Sequence, residues 1–510
     1  MAEPIRNITI VGGGTAGWLA AAYLSTTFAE ALAAGSKTIT LIESPTIPTI
    51  GVGEASAPGM PLTMRTLGVN ETELIRRTNA SFKLGGKFVG WNLDAAGRPT
   101  FWINPFDGGG RVKGRPVGYY YNAFGRTATD DTFADDFTEV LSPAPQMIAE
   151  RKGPRLPEHK DYEGPLRYAY HMDALRLAEV LRDLCLARGV RHILADVTHV
   201  HVDARGHVEK LSLKDREDHP VELVLDATGF AGVIIRRALG EPFEDFSKYL
   251  LADRACAMQL PHADPTSLEP ATRATALTAG WVFHVPLFNR IGTGYVFSSR
   301  FKSEDEASAE FLAHYGERGK GMTPRIIRWT SGKIRRSWVG NCIAVGLASS
   351  FVEPLEATAI QGTETALRWL YSYFPDTDFS PVLRERYNGL TDQLFAEYVD
   401  FIALHYKLNN RTDPYWTACR EEVPVPDSLA SNIELWRYEL PSPFDLASEH
   451  FFTAGNYMVA LFGKGFYEPG HVFPNADGIR RADWDAIIRR QRAARAGYIA
   501  RAPGHYDLLR

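Results

Sequence analysis

The chain has 510 residues, 45% hydrophobic and 23% charged, with 44 glycines and 31 prolines, a globular composition that excludes disorder and fibrous repeats. Sixty-one acids against 56 bases leave a formal charge of −5, so no whole-molecule positive field draws in nucleic acid or an anionic membrane. Cys185, Cys256, Cys342 and Cys419 lie far apart with no CxxC pair, and no apolar run nears the ~20 residues of a membrane helix, so we expect a cytoplasmic protein without disulfides, zinc or a membrane span.

Asn7 to Val11 reads as a buried strand, Gly12 to Gly17 as a glycine turn, Trp18 to Ala34 as a helix and Lys37 to Ile42 as the next strand. This βαβ order sets the turn at the carboxyl edge of a parallel sheet, where α/β proteins hold ligands. Gly12-Gly13-Gly14-Thr15-Ala16-Gly17 matches GxGxxG in that setting. With no side chains at Gly12 and Gly14 the backbone can approach a pyrophosphate, and the helix N-terminus adds partial positive charge. Glu43 ends the second strand 26 residues after Gly17, slightly beyond the usual spacing of about 20, and is placed to accept a hydrogen bond from a ribose hydroxyl.

From Pro45 to Pro61 the chain is rich in Pro and Gly and reads as an ordered loop; residues 85 to 165 suggest short strands and long surface loops. Met172 to Arg188 has helical spacing, and Val190 to Val202 and Val221 to Leu225 read as strands returning to the first sheet. A second block of strands follows at Cys256 to Leu260, Gly280 to Pro286 and Gly294 to Ser299, then a buried strand at Ile343 to Leu347 and a helix from about Glu356 to Phe374. Beyond Asp376 the pattern is mainly helical and ends in the basic stretch Arg480 to Arg501, read as a solvated face or an oligomer contact. Leu223 to Phe230 and Gly340 to Ser350 are strands running into small-residue turns. Two late returns of this kind favour FAD over NAD and an α/β, two-dinucleotide-domain, flavin monooxygenase-like fold. His199 and His201, alternating on one strand, read as solvated rather than as a metal site.

Five segments in order, IVGGGTAGWLAA, IPTIGVGEAS (Ile47 to Ser56), SFKLGGKFVGW (Ser81 to Trp91), YAYHMDALRLAEVLR (Tyr168 to Arg182) and GLASSFVEPLEATAI (Gly346 to Ile360), resemble the flavin-dependent halogenases of the tryptophan halogenase family. The resemblance implies an FAD-binding and catalytic core over 1–375 and a helical C-terminal region over 376–510 that completes the substrate site. It implies reduced FAD delivered by a separate flavin reductase, chloride or bromide, and hypohalous acid guided to a small aromatic substrate; a homodimer is compatible with it. Lys83 falls on the family's catalytic lysine and Glu356 on the glutamate that assists halogen transfer or removes the ring proton. A primary amine suits the first role, since burial lowers its pKa toward working pH, and a carboxylate suits the second. Backbone N–H groups of Thr358 and Ala359 would hold the halide. Ile47, Ile50, Glu54 and Ala55 fall on the strap beside the flavin, and Val197, Leu347 and Ile360 on family FAD contacts.

Several positions depart from the family pattern. WxWxIP appears as Trp281-Val282-Phe283-His284-Val285-Pro286, FxxPxxSxG carries Ala357 and Ala359, and His-Pro-Phe near the substrate is Asn104-Pro105-Phe106. Ala359 is expected to constrain a φ that Gly would free. Trp102, Phe106, Phe451 and Phe452 are candidates for clamping the aromatic substrate. Between Ser442 and Gly470 there is no Tyr-Tyr pair, and Asp445 and Glu449 are the acids before Glu468, so an indole is expected to be preferred over zwitterionic tryptophan. Two rivals are an aromatic hydroxylase on the same fold, separated by halide dependence, and a non-enzymatic FAD-fold carrier, separated by turnover.

Overall fold

The structure, a computed structural model, describes residues 3–47, 51, 53–106, 110–125, 136–468 and 471–510. The chain folds into two compact units, one from Met1–Ala80, Met172–Ser247 and Trp329–Phe395, the other from Ser81–His171, Lys248–Arg328 and Ala396–Arg510.

In the first unit a six-stranded sheet runs in the order Arg191–Leu194, Thr38–Glu43, Asn7–Val11, Leu223–Asp226, Cys342–Ala344 and Trp338–Val339. The first five are parallel, with Val11 opposite both Ile42 and Asp226, and the last is antiparallel. Asn7–Val11 lies at the centre, and Ile8 and Ile10, with the intervening Thr9, are buried, as a parallel strand covered on both faces requires. Helix Thr15–Thr27 buries Trp18, Leu19, Ala20, Ala21 and Ala22 and packs on helices Ala174–Ala187 and Thr358–Ser372. Asp173 starts Ala174–Ala187 as its N-cap, its carboxylate accepting from the Leu175 and Arg176 N–H groups.

The second unit is built on a seven-stranded sheet in the order Arg325–Arg328, Arg254–Leu260, Ile291–Phe297, Gly280–Pro286, Thr272–Leu277, Gly85–Leu93 and Pro99–Pro105. All its neighbours are antiparallel except Thr272–Leu277 beside Gly85–Leu93. Helix Glu304–Tyr315 starts with a Ser303/Glu306 capping box and places Ala307 and Phe311 in the core with Cys256, Val282 and Tyr295. The C-terminal part is helical, with Pro414–Glu421, Asp427–Leu435, Ala454–Gly463 and the basic helix Arg481–Arg501. Among the described residues no helix is long and apolar enough to cross a membrane.

Three elements differ from expectation. Val197–Val202 does not return to the parallel sheet; it pairs antiparallel with Val208–Leu213 in a separate three-stranded sheet, because its alternating His and Val pattern suits a half-exposed hairpin. Gly85–Leu93 and Pro99–Pro105 form a long hairpin rather than short strands among loops. The strand expected to reach Leu347 ends at Ala344, where the chain turns through Gly346–Ala348.

Candidate active site

The glycine turn is packed on every side. Gly12 has φ +119 and donates its N–H to the Ile42 carbonyl at 2.9 Å; a Cβ there would strike the Ala227 carbonyl. A Cβ on Gly13 would overlap the Glu43 carboxyl group, so the acid lies directly against the turn. Glu43 is anchored by His192, whose Nε2 is 2.9 Å from Oε2. Gly14 is the N-cap of Thr15–Thr27 and supplies no side-chain cap, which leaves the first-turn N–H groups, including those of Thr15, Ala16 and Gly17, outside the helical hydrogen-bond ladder. From the other strands, Gly346 approaches Ala16, and buried Asp226 accepts hydrogen bonds from Thr228, Ile234 and Ile235, which shapes the turn after its strand. An uncapped helix N-terminus beside an anchored acid fits the pyrophosphate and ribose of FAD.

Leu347 sits in the Gly346–Ala348 turn, Val197 packs on the core beside the parallel sheet, and Ile360 is in the first turn of Thr358–Ser372. Ile47 is exposed, and Glu54 and Ala55 form a two-residue strand. Burial, reinforced by the Asp173 carboxylate, pushes Glu54 up to about 7. Ile50 lies outside the described residues.

The segment before Thr358–Ser372 is strained. Glu356 (φ 63, ψ 13) and Ala357 (φ 59, ψ 39) are consecutive left-handed residues with a Cβ, at a cost of roughly 1–2 kcal/mol each. The strain therefore falls here and not at Ala359, which sits inside the helix where no glycine is needed; the expected constraint at Ala359 is overturned. Ala357, the N-cap, offers no side-chain hydrogen bond. Thr358 and Ala359 are the first two helical residues, and their N–H groups lie outside the helical hydrogen-bond ladder at the helix's N-terminal end.

Lys83 belongs to the second unit. It ends the strand Ser81–Lys83, which pairs with the strand Ala169–Met172 in the register Phe82 opposite Tyr170 and Lys83 opposite Ala169. Lys83 is 4% exposed, and its Nζ lies 5.5 Å from the centroid of the Phe106 ring. Leu84 donates its N–H to the Pro270 carbonyl at 2.8 Å, and Ser81 Oγ bonds the Pro286 carbonyl. His171 lies opposite Ser81 in this pairing, its Nδ1 3.2 Å from Ser81 Oγ and its Nε2 2.9 Å from Thr272 Oγ1. Burial and the Lys83 charge, with His505 and His284, push His171 well below the usual histidine range, so it is neutral.

Of the substrate candidates Trp102, Asn104, Phe106, Phe451 and Phe452, the structure brings Phe106 to Lys83, with buried Asn104 two residues before it on the same chain segment. Phe451 and Phe452 belong to a different cluster. Their N–H groups are held by the Glu397 carboxylate, and Phe452 stacks on Phe401 at 4.0 Å. Phe401 in turn meets His405, which meets Trp102, itself stacked on Phe88 at 4.3 Å. His199 and His201 lie 4.5 Å apart with His201 bonded to Ser212, and no metal-ligating group of three gathers among the described residues. Of the anchors of the Lys83 strand, Pro286 closes the Trp281–Pro286 motif, while Leu268, Pro270, Thr272 and His505 had no motif or periodicity to announce them.

A sequence model of the tryptophan halogenase family matches residues 7–478. Tryptophan 7-halogenase RebH of Lentzea aerocolonigenes is 36% identical over 493 residues, covering 91% of this chain and 90% of that protein. Among solved structures, tryptophan 6-halogenase SttH of Streptomyces toxytricini aligns with TM-score 0.91 at 32% identity over 99% of each chain. BrvH, a flavin-dependent halogenase of Brevundimonas sp. BAL3, aligns with TM-score 0.86 at 34% identity over 99% of this chain and 98% of that one.

Proposed function

The chain belongs to the tryptophan halogenase family, whose members are flavin-dependent halogenases, and from that premise we propose that it chlorinates or brominates an indole-type substrate through hypohalous acid received at Lys83. The observation that carries this reading is the burial of Lys83 at 4% exposure, with its amine over the ring of Phe106.

Gly12, Gly14, Thr15, Ala16, Gly17 and Glu43 would hold the pyrophosphate and ribose of FAD, with Ile47, Glu54, Ala55, Val197, Leu347 and Ile360 along the rest of the cofactor. When bound, reduced FAD from a flavin reductase would supply, with O₂, the two-electron oxidation of halide to hypohalous acid. The Thr358 and Ala359 N–H groups bind the halide. Lys83 holds HOX by hydrogen bonding and lends its proton as the O–X bond breaks. A ring carbon then takes the halogen, the hydroxide leaves as water, and Glu356 accepts the ring proton.

The substrate assignment rests on the segment Ser442 to Glu468. Asp445 is engaged by Trp436 Nε1 at 2.9 Å and by Ser442 N–H and Oγ at 2.8 Å, and Glu449 accepts the Ala454 N–H at 2.6 Å. These carboxylates serve the chain's own fold and are not offered to an α-amino group. RebH and SttH are named for tryptophan; we expect this chain to give a higher kcat/KM with indole than with free tryptophan when products are measured by mass spectrometry with reductase, FAD, NADH and chloride or bromide. A clear preference for tryptophan would overturn the substrate assignment, and product formed without halide would overturn the reaction.

A further inference from the structure

Ser81–Lys83 is a short strand with Ala169–Met172 on one side, and the Phe82 N–H points away from that pairing. It donates to the Nε2 of His505 at 2.9 Å, across 423 residues of sequence. The other ring nitrogen, Nδ1, lies 3.2 Å from the Leu268 carbonyl. A nitrogen that accepts from a backbone N–H carries no proton, so the ring is the Nδ1–H tautomer and donates to Leu268. The imidazole thus bridges the backbone beside Lys83 to the segment that also receives the Leu84 N–H through Pro270.

The ring is itself well supported. His505 is fully buried, and its backbone N–H donates to the Arg151 carbonyl at 2.7 Å. Gly153 donates to the Pro503 carbonyl, Leu508 fills the space a side chain on Gly153 would need, and Tyr506 stacks on Phe288. Burial pushes His505 down to about 4, so it keeps a free lone pair at working pH.

We propose that His505 is a positioning residue for halogen transfer: its neutral imidazole replaces a missing strand neighbour and fixes the backbone beside Lys83. The inference rests on the assignment of Lys83 as the amine that receives the halogen. Its mechanism is geometric, since displacement of a reacting group by about 1 Å can lower a rate by about 10²-fold. Flavin oxidation, which does not use Lys83, is insensitive to it.

The test compares His505→Leu, which fills the space without an acceptor, with His505→Gln, whose amide can accept from Phe82 and donate to Leu268. We expect His505→Leu to lower halogenated product per flavin oxidised about tenfold through kcat, with unchanged flavin oxidation and KM, and His505→Gln to recover it to within about threefold. Equal coupling in the leucine variant and the wild type, or equal loss in both variants, overturns the proposal. Should the leucine variant fail to fold, nitrogen NMR of the ¹⁵N-histidine-labelled wild-type protein decides: an Nε2–H tautomer at His505 overturns the proposal and Nδ1–H supports it. Lys83→Ala separates the two ideas. If it halogenates normally, the assignment of Lys83 itself falls; if it is dead while His505→Leu couples normally, only the role of His505 falls.

Discussion

Around the glycine turn much of the constraint comes from within the first 43 residues: Gly12 donates to Ile42 at the end of the next strand, Gly14 opens the helix that follows, and Glu43 lies against Gly13, with Ala227 and His192 added from later strands. Around Lys83 the constraint comes from far away: Ala169 beside it, Pro270 and Pro286 against its flanking residues, and His505 against Phe82. A cofactor that presents a pyrophosphate can be met by a turn and a helix end, which a short stretch of chain encodes. A single amine that must stand still has no such local device. Its rigidity is borrowed from the surrounding fold.

The sharpest way to break this contrast is to remove the amine. Lys83→Ala should lower halogenation by 10³-fold or more, about the scale lost with a principal catalytic group, while leaving flavin oxidation intact, as read by product mass spectrometry with catalase present. Wild-type halogenation in this variant would show that the distant anchors serve something else. On the other side, Gly14→Val should weaken FAD binding by at least about 100-fold in a titration of flavin fluorescence. Gly14 has φ −75, an ordinary value for valine, so the variant should fold and the loss should report cofactor approach rather than strain.

Glu356→Gln should slow halogen transfer by about 10²-fold without changing flavin affinity, measured in single turnovers with preformed hypohalous acid. An unchanged rate would remove Glu356 from the chemistry. The smallest effect is expected next door. Ala357→Gly relieves a left-handed residue with φ 59 and should raise stability by about 1 kcal/mol in a denaturant melt, since glycine has no Cβ to strain there. A loss of stability would mean that the two left-handed residues are held by neighbours at no net cost.

Legibility from sequence followed the same division. The turn, its helix, its strand and the acid at residue 43 were placed by pattern, because glycine spacing and apolar periodicity are statements about neighbouring residues. Of the stretch Val190 to Val202, read as returning to the first sheet, Arg191–Leu194 does so and Val197–Val202 does not, because alternation reveals a strand but not its partner. A constrained φ was expected at Ala359, where the family motif carries glycine, whereas the left-handed residues are Glu356 and Ala357, where no residue type announces them. His505 was invisible for a different reason: a lone histidine near a Pro-Gly pair has no periodicity and no motif, and its meaning exists only once Phe82 is beside it.

The span between Phe82 and His505 also carries a consequence for how the protein is made. At about 5–20 residues per second, a ribosome needs on the order of 20–85 s to cover the intervening 423 residues. During that time the glycine turn and its helix are already outside the tunnel, while the outer edge of the lysine strand stays open to other strands. A nascent chain stalled before residue 505 therefore contains the local parts of a flavin site but not the contact that completes the lysine strand. The glycine turn thus leaves the ribosome well before the residue that completes the edge of the lysine strand.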